Sequence, residues 1–558
     1  MGSPNTLNPE WTFNNRSKFI DQLKSDNFEL IIIGAGVTGA GVAREASLRG
    51  IKTAILDKND FASGTSSRSS KLAHGGLRYL NEAEFKLVHE ACVERNWMRV
   101  DGLPHLIRPE KFTMPGYKKG KDSVLKIWLA LVLYDLMSEF GTKYKNKGTR
   151  KFFSKKHTLE EEPKLNSNGL LMSGQYYDNN VDDARLTIEA VKESVAYGNT
   201  IAVNYIQVND YIIDSGKIIG VHVEDTLSGE KFMIKGKAFV NATGIWTDEL
   251  LRNYPRKLIR PTKGVHVMVP KDRVGNNNAL VLRTVDDHRA YFVLKRENYT
   301  LIGTTDTDYE GNFDEPFCTK EECDYLFRSV NHTFPNANLT YDDIISTFAG
   351  IRPLIRQEGK SESKISRKHA LIETDDGLVT ITGGKLTTWR KMGEEVLYHL
   401  IKTGKINQSI SKKKLKADYS MIPFLIGMKR DEWVKYIQEN QPNLSPHTLD
   451  MLYQQYGKGA IEIVEQVKKR PELGIPFIDD YYFIPAEIHY VLKYEFASRL
   501  IDVLCRRTEM AIKIKHTQQE TIAQKVADIM ASYYGWDETT KSNEIQYYME
   551  YIAKTIWF

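Results

Sequence analysis

The chain of 558 residues is poor in cysteine and carries little net charge. Its cysteines are Cys92, Cys318, Cys323 and Cys505, and the one close pair has no second pair nearby that would complete a zinc site. We therefore expect reduced thiols and no bound metal. With 77 basic and 72 acidic residues the net charge is +5, which does not indicate the concentrated basic face of a nucleic-acid-binding protein.

Long apolar runs are also lacking. No segment reaches the roughly 18 apolar residues that predict a transmembrane helix. The N-terminal residues 1–27 lack the apolar stretch and cleavage site of a secretory signal, so we expect a cytoplasmic protein. The chain is too long for one hydrophobic core, and its 41% of apolar residues are enough for two or three domains.

A dinucleotide-binding unit is predicted near the N-terminus. An apolar run predicts a buried strand, glycines spaced as G-x-G-x-x-G follow, and a helix and a second strand ending in Asp57 come next. The glycines permit a tight turn, close approach to a pyrophosphate and close helix packing, while the helix N-terminus favours phosphate charge. Asp57 can bind ribose hydroxyls, which suits NAD or FAD. In chain order these segments are Leu30–Ile33, Gly34, Gly36, Gly39, Ala40–Arg49 and Lys52–Leu56.

The loop after Asp57 decides between these two cofactors. Residues 64–80 read GTSSRSSKLAHGGLRYL, where a nicotinamide enzyme would have an ordinary connection between a strand and a helix. Hydroxyls and free N–H groups can bind a second phosphate, and glycines leave room for a flat ring. The loop therefore favours FAD.

This loop resembles the flavin loop of the FAD-dependent glycerol-3-phosphate dehydrogenases and oxidases. The resemblance extends over roughly residues 28–400. The chain departs from the family pattern at Ile245, where proline is common, and near residue 288, and neither change removes a group with evident chemistry. The other similar segments, in family order, are VNATGIWTDEL (240–250), RPTKGVHVMVP (260–270), LIGTTDTDYEG (301–311), FAGIRPLI (348–355) and ITGGKLTTWRKM (381–392).

The resemblance implies an α/β fold: a Rossmann-like FAD-binding domain of the glutathione-reductase/D-amino-acid-oxidase type, an antiparallel-sheet substrate domain and a C-terminal helical domain. Within the substrate sheet, Lys263 and Gly264 predict a turn and Val265–Val269 a strand. The expected bounds are 1–27 for an N-terminal extension, 28–405 for a discontinuous FAD domain (28–105, 160–255 and 345–405), 106–159 and 256–344 for the substrate domain inserted in it, 406–424 for a lysine-rich linker and 425–558 for the helical domain.

The reaction that the resemblance implies is oxidation of sn-glycerol 3-phosphate to dihydroxyacetone phosphate. A hydride passes from C2 to flavin N5, and a quinone then accepts the electrons. The dianionic phosphate needs cations, preferably arginine forks. By resemblance Arg78, Arg352 and Lys385 face the flavin pocket with Tyr79 beside them. The alternative for each cation is a solvated surface charge, and Lys385 can instead serve the flavin carbonyl edge.

The C2 hydroxyl also needs a base within hydrogen-bond reach. We expect His266, since imidazole is neutral near pH 7, although a histidine on an apolar strand can be a satisfied core residue. His74 in the flavin loop is the rival catalytic residue, and Asp306 is expected to hold a loop near the pocket. The residues expected to bind FAD are Gly34, Gly36, Val37, Thr38, Gly39, Asp57, Thr65, Ser66, Ser70, Lys71, Leu72, His74, Gly75, Val208, Ala242, Thr243, Gly244, Gly350, Gly384, Lys385, Leu386 and Thr387.

One segment points to a membrane surface. Val124–Met137 is apolar on all sides, which is typical of a buried helix. Residues 141–156, however, carry seven Lys or Arg and no acid, and an apolar helix beside a basic run can lie on an anionic leaflet. Family members deliver electrons to membrane quinone, so we expect peripheral binding to the cytoplasmic face of the membrane. The helical domain is expected to serve packing or association, such as a homodimer.

Two other functions stay open. An oxidase of glycerol 3-phosphate or of an amine would keep the fold and release peroxide. Oxidases of the family often carry an insertion after the RPL segment, and its absence here favours a dehydrogenase. A flavin-binding protein without turnover is the second alternative, and the joint presence of His266, Arg352 and Lys385 argues against it.

Overall fold

A computed structural model describes residues 7–118, 120, 123–252, 254–357, 368–406 and 421–555. The strands are β1 (Asn27–Ile33), β2 (Thr53–Leu56), β3 (Leu72–Ala73), β4 (Arg108–Tyr117), β5 (Lys151–Ser154), β6 (Leu170–Asn180), β7 (Thr200–Val203), β8 (Ile206–Asp214), β9 (Lys217–Asp225), β10 (Lys231–Asn241), β11 (Ile259–Pro270), β12 (Ala279–Arg283), β13 (Ala290–Lys295), β14 (Tyr299–Gly303), β15 (Thr307–Asp308), β16 (Ser346–Ile355), β17 (His369–Glu373) and β18 (Leu378–Gly383).

The helices alternate with these strands in the first 400 residues and then continue alone. They are α1 (Arg16–Ser25), α2 (Val37–Leu48), α3 (Phe85–Trp97), α4 (Val124–Glu139), α5 (Lys155–Glu161), α6 (Asp183–Ala196), α7 (Thr247–Leu250), α8 (Lys271–Val274), α9 (Lys320–Thr333), α10 (Trp389–Lys402), α11 (Arg430–Asn440), α12 (Pro446–Tyr456), α13 (Gly459–Lys469), α14 (Pro485–Tyr494), α15 (Leu500–Asp502), α16 (Met510–Lys513), α17 (Gln519–Tyr534) and α18 (Glu538–Lys554).

The first sheet has a parallel centre in the order β18-β10-β1-β2-β7. Strand β17 pairs antiparallel with β18, and β9 and β8 extend the sheet from β10. Helix α2 packs between α6 and α10. The run Leu30–Ile33 in β1 is buried along its whole length, as expected for a parallel strand covered on both faces. The carboxyl ends of β1, β2, β10 and β18 therefore meet at one edge of the sheet, where ligands bind in such folds.

The second sheet is largely antiparallel, in the order β15-β11-β14-β13-β12-β4-β6-β3, with β16 beside β11 and β5 beside β6. It takes in β6 and β16, although the sequence analysis assigned residues 160–255 and 345–405 to the FAD domain. Strand β16 pairs with β11 from Ile259↔Ile355 to Met268↔Ser346. These long-range pairings, which a local pattern cannot show, decide the sheet to which each strand belongs.

The predicted turn at Lys263 and Gly264 is wrong. Both residues lie within β11, which runs without interruption and pairs them with Ile351 and Gly350 of β16. A Cβ atom on Gly264 would lie only 2.0 Å from Nη2 of Arg352 and 2.4 Å from Oγ1 of Thr304. Glycine occurs here because a guanidinium packs against the strand, and not because the chain turns.

The C-terminal part, residues 421–555, is helical and has its own apolar core, around Trp433 and Tyr456. It packs on the first sheet through Phe496, whose ring stacks 5.6 Å from that of Trp11. Trp11 is fully buried, so the N-terminal extension is part of the same core. Buried charges also cross this contact, because Asp60 pairs with Arg506 and Arg507. Residues 407–420 of the expected linker lie outside the described residues.

Helix α4 is buried on one side only. Ile127, Leu131 and Tyr134 are buried, which agrees with the core position that is typical of an apolar helix. Leu125 is 72% exposed and Leu129 50% exposed, so the opposite side of the helix faces solvent. Among the described residues no helix combines the length and the apolar character needed to cross a bilayer.

Candidate active site

A deep cleft opens at the carboxyl edge of the first sheet. Its empty space is about 1370 Å³, including the part that is open to solvent. Gly34 directly follows β1 and has a φ of +99°, and a Cβ atom there would lie 2.7 Å from the carbonyl oxygen of Ala242, which directly follows β10. The turn therefore requires glycine. Helix α2 starts directly afterwards, and the N–H of Val37 donates to Oγ of Ser66 at 2.9 Å.

Asp57 closes the cleft at the end of β2. Its carboxylate accepts hydrogen bonds from the backbone N–H groups of Ala35 (2.7 Å) and Asn59 (3.0 Å). Burial raises the pKa of Asp57 to about 7, against the lowering effect of these two hydrogen bonds. On the far wall the ammonium of Lys58 lies 4.3 Å from the ring centroid of Trp246. A helix N-terminus, hydroxyls and a half-buried carboxylate are the groups that a dinucleotide with a pyrophosphate and a ribose requires.

Most of the predicted FAD-binding residues line this cleft. They are Gly34, Gly36, Val37, Thr38, Asp57, Thr65, Ser66, Val208, Ala242, Thr243, Gly244, Gly384, Lys385 and Leu386. The cleft also has lining residues that the sequence analysis did not name, among them Trp246, Glu249 and Pro353. No spacing rule indicates these residues, since the segment after β10 supplies Trp246 and Glu249 and the distant strand β16 supplies Pro353.

The other predicted FAD-binding residues do not line the cleft: Gly39, Ser70, Lys71, Leu72, His74, Gly75, Gly350 and Thr387. Several of them support the flavin loop. The Thr387 hydroxyl accepts from the backbone N–H of His74 (3.1 Å) and donates to its carbonyl (3.0 Å). The N–H of Gly75 donates to Asp178 (3.2 Å), which is buried and also bound by Tyr134 of α4 (2.8 Å).

A second cavity, with about 880 Å³ of empty space, lies between the flavin loop, α4 and the second sheet. Its wall is largely apolar and includes His74, Arg78 and Thr304. Nη2 of Arg78 donates to the Tyr79 hydroxyl at 3.1 Å, and its guanidinium lies 4.8 Å from the Tyr79 ring centroid. Nζ of Lys385 lies 3.8 Å from the same centroid. Tyr79 thus brings the predicted cations Arg78 and Lys385 together.

Arg352 approaches the second cavity from β16. Its Nη2 donates to Oγ1 of Thr304 (2.8 Å), a residue of the cavity wall, and its Nη1 donates to Oδ1 of Asp306 (3.1 Å). Asp306 is buried and also pairs with Arg289 at 2.6 Å. Asp306 therefore joins two guanidinium groups, those of Arg352 and Arg289, beside the cavity.

His266 is buried in β11 beside this arginine. Its Nε2 lies 2.9 Å from Oγ of Ser70, and its ring stacks on Phe348 with centroids 4.7 Å apart. Nδ1 has no hydrogen-bond partner among the described residues. Burial, reinforced by Arg352, Lys71 and Arg296, holds the pKa of His266 well below its ordinary value. The shift favours the neutral imidazole, in which one ring nitrogen carries a proton and the other has a lone pair.

Comparison with known proteins agrees with this geometry. A family model described as FAD dependent oxidoreductase matches residues 29–390, and a model of the C-terminal domain of alpha-glycerophosphate oxidase matches residues 418–541. The aerobic glycerol-3-phosphate dehydrogenase of Bacillus subtilis (strain 168) is 34% identical over 562 residues, with 97% of each chain covered. The chain belongs to the FAD-dependent glycerol-3-phosphate dehydrogenase family. The aerobic glycerol-3-phosphate dehydrogenase of Staphylococcus haemolyticus (strain JCSC1435) is 41% identical over 412 residues, with 73% of each chain covered.

Solved structures of FAD-bound proteins share the fold of this chain. The glycerol-3-phosphate dehydrogenase from Bacillus halodurans complexed with FAD superimposes with a TM-score of 0.77 at 28% identity, and 98% of each chain is covered. The L-alpha-glycerophosphate oxidase from Mycoplasma pneumoniae with FAD bound shares the fold, with a TM-score of 0.53 at 17% identity. The family confirms the predicted fold class and FAD as the cofactor, and the residues of the cleft fit that molecule.

Proposed function

We propose that this protein oxidises sn-glycerol 3-phosphate to dihydroxyacetone phosphate and passes the electrons to a quinone. The names of its relatives support the substrate. The observation that carries the proposal is the buried His266 beside Arg352, whose Nδ1 has no hydrogen-bond partner in the part of the chain that the structure describes. A base of this kind next to a cationic group suits an alcohol that carries a phosphate.

The proposed roles divide between phosphate binding and proton removal. FAD, when bound in the cleft, would supply the acceptor for the hydride of C2. Arg78, Arg352 and Lys385 bind the phosphate dianion and so orient C2. His266 takes the proton of the C2 hydroxyl at Nδ1 while the carbon–oxygen bond becomes a carbonyl. The substrate thus loses one hydride and one proton, which is the two-electron oxidation of a secondary alcohol to a ketone.

Anaerobic mixing tests this function. The holoenzyme is mixed with glycerol 3-phosphate without oxygen or quinone, and the visible flavin absorbance is followed. Rapid bleaching by glycerol 3-phosphate, and none by glycerol at the same concentration, is expected because glycerol lacks the phosphate. A flavin band that persists with glycerol 3-phosphate would leave a non-catalytic flavin-binding protein as the better description.

The electron acceptor needs a separate measurement. Steady-state rates with glycerol 3-phosphate are compared for oxygen and for a soluble quinone analogue, with peroxide measured in both. We expect the quinone analogue to support the faster turnover and peroxide to be a minor product. Stoichiometric peroxide in air, with no acceleration by the quinone, would identify an oxidase.

We also propose that the chain binds an anionic membrane surface through α4. The exposed apolar side chains Leu125, Trp128, Leu129, Leu136 and Phe140 lie on or directly after this helix. The basic segment 141–156 follows immediately, so apolar and cationic groups occur side by side. This combination fits an acyl boundary beneath negative headgroups, to which each basic residue near the surface contributes roughly 1 kcal/mol.

Liposome sedimentation tests the membrane proposal. The double variant Leu125→Ser/Leu129→Ser is compared with Ile475→Ser, which changes a residue of the helical domain that is 66% exposed. Wild type and the Ile475 variant should sediment with vesicles rich in phosphatidylglycerol, and the α4 variant should stay in the supernatant. Equal recovery of wild-type protein in the supernatant with anionic, neutral and no vesicles would refute membrane binding through this helix.

A further inference from the structure

The flavin loop is anchored by a buried ion cluster. Nζ of Lys71 lies 2.7 Å from Oδ1 of Asp183, at the start of α6, and 2.7 Å from Oε1 of Glu509, which directly precedes α16. Oε2 of Glu509 also lies 3.3 Å from Nζ of Lys513. All four residues are less than 9% exposed. Glu509 belongs to the C-terminal helical part, so this cluster joins that part to the flavin loop.

The cluster already contains two ammonium groups and does not resemble an empty cation site. Asp182, Asp183 and Glu509 place carboxylate oxygens within 4.8 Å of one another. The ammonium groups of Lys71 and Lys513 provide the positive charge among them. Burial alone would raise the pKa of Glu509, but these two lysines lower it to about 2. The carboxylate therefore stays charged and holds Lys71 in place across the whole working pH range.

Lys71 directly follows Ser70, the residue that contacts His266. Asp183 also accepts from the backbone N–H of Ser69 at 2.9 Å, so one carboxylate binds the loop at two points. Lys71 itself has a φ of +54° in the left-handed region, which a non-glycine residue adopts only when its surroundings impose it. Ser70 lies between these two fixed residues, and its hydroxyl oxygen is 2.9 Å from Nε2 of His266.

The C-terminal part also supports the other side of the histidine. The hydroxyl of Ser346 in β16 donates to the carbonyl of Ile512 at 2.8 Å, and the N–H of Thr347 donates to the carbonyl of Thr555 at 3.1 Å. The next residue, Phe348, stacks on the imidazole of His266. The helical part thus supports both side chains that contact His266. It supports Ser70 through the ion pair of Glu509 with Lys71, and Phe348 through the hydrogen bonds to Ser346 and Thr347.

We propose that Glu509 and Lys71 are positioning residues for the oxidation. Their ion pair fixes the flavin loop so that Ser70 accepts the proton of Nε2–H and holds His266 in the tautomer whose Nδ1 can take up a proton. The C-terminal helical part is then a component of the catalytic machinery and not only a packing or association unit. This inference rests on the proposed function, because it assigns a task to the base of that reaction.

A double-mutant cycle tests the proposal. Glu509→Gln, Ser70→Ala and the double variant are purified as holoenzymes, and flavin reduction by glycerol 3-phosphate is followed anaerobically over a range of concentrations. Each single variant should reduce its flavin about 100-fold more slowly at saturating substrate, since small displacements of catalytic groups have effects of that size. The apparent Kd for glycerol 3-phosphate should change less than about threefold, because the phosphate-binding cations are untouched.

Non-additivity is the decisive readout. If Glu509 acts through Ser70, the double variant should be no slower than the slower single variant. Rates that multiply in the double variant, or a loss confined to substrate binding, would overturn the proposal. The matched control is Glu544→Gln, which removes a carboxylate of the same part whose hydrogen bonds among the described residues go to Arg499 (2.8 Å) and the backbone N–H of Leu500 (3.0 Å). Its reduction rate should equal that of wild type.

Folding failure is covered by a second variant. If Glu509→Gln does not yield holoenzyme, Glu509→Asp takes its place, because it keeps the charge but withdraws the carboxylate by one methylene. A slowed reduction that is again non-additive with Ser70→Ala supports the proposal, and a wild-type rate overturns it. The two proposals fail in different ways: wild-type flavin that is not reduced refutes the proposed function, whereas normal wild-type reduction with unaffected variants refutes only the positioning role.

Discussion

Replacement of His266 by asparagine is the sharpest test of the proposed chemistry. The imidazole is buried, its Nε2 atom lies 2.9 Å from Oγ of Ser70, and its Nδ1 atom has no partner among the described residues, which leaves Nδ1 for the proposed proton transfer. Removal of a general base typically costs about 10²- to 10⁴-fold in rate, or roughly 3–5 kcal/mol in the activation free energy. Asparagine keeps a polar group for Ser70, and His266 does not line the FAD cleft. FAD content should therefore be unchanged.

The assay is anaerobic flavin reduction as a function of pH. In wild type the depressed pKa of His266 keeps the neutral form available as the pH falls, so any loss of rate through its protonation should occur below pH 6.5. The reduction rate of the asparagine variant should rise with pH, because hydroxide must replace the missing base. His74→Asn is measured in parallel. A His266 variant within about threefold of wild type, together with a slow His74 variant, would refute the assignment and make His74 the base.

Three further predictions follow from single contacts. Arg352→Lys replaces a fork that Asp306 and Thr304 orient, and kcat/KM for glycerol 3-phosphate should fall about 10- to 100-fold with FAD content unchanged; equal kcat/KM would place the phosphate elsewhere. Asp57→Asn should weaken FAD binding by about 10- to 100-fold, measured from the fluorescence of released FAD, and unchanged affinity would show that Asp57 does not bind the ribose. Asp60→Asn leaves two buried guanidinium groups poorly paired and should lower the free energy of unfolding by about 3–5 kcal/mol in urea denaturation. Burial would raise the pKa of Asp60, but Arg507 and Arg506 lower it from 3.8 to about 2, so this stabilisation is present above pH 3.8 and is lost as the pH falls towards 2; an Asp60→Asn loss that is the same at pH 7 and pH 2 would contradict it.

The nucleotide unit could be read from the sequence because its signals are local. Gly34 and Asp57 lie 23 residues apart in one strand–helix–strand unit, and their spacing follows from the fixed lengths of those elements. Arg78 and Tyr79 are also neighbours in the chain, so their stacking needs no distant partner. In the structure Gly34 and Asp57 line the cleft, and Arg78 lines the second cavity.

Gly264 shows why a turn was wrongly predicted within a strand. A lysine–glycine pair is a usual signal for a turn, and only the position of Arg352, which follows 88 residues later, explains a glycine within a continuous strand. Helix α4 is a second case. Its composition alone is compatible with a core or a surface, and the packing of one face on the second sheet decides which side chains stay exposed.

The sequence by itself determined the family and the cofactor, because these depend on residue types and short spacings. Only the tertiary structure decided that Ser70 meets His266 across 196 residues and that Glu509 reaches Lys71 from the C-terminal part. The physical reason is that burial and ion pairing depend on which surfaces come together in space. A carboxylate that is far away in the chain can therefore hold an active-site loop although no local sequence pattern indicates the contact.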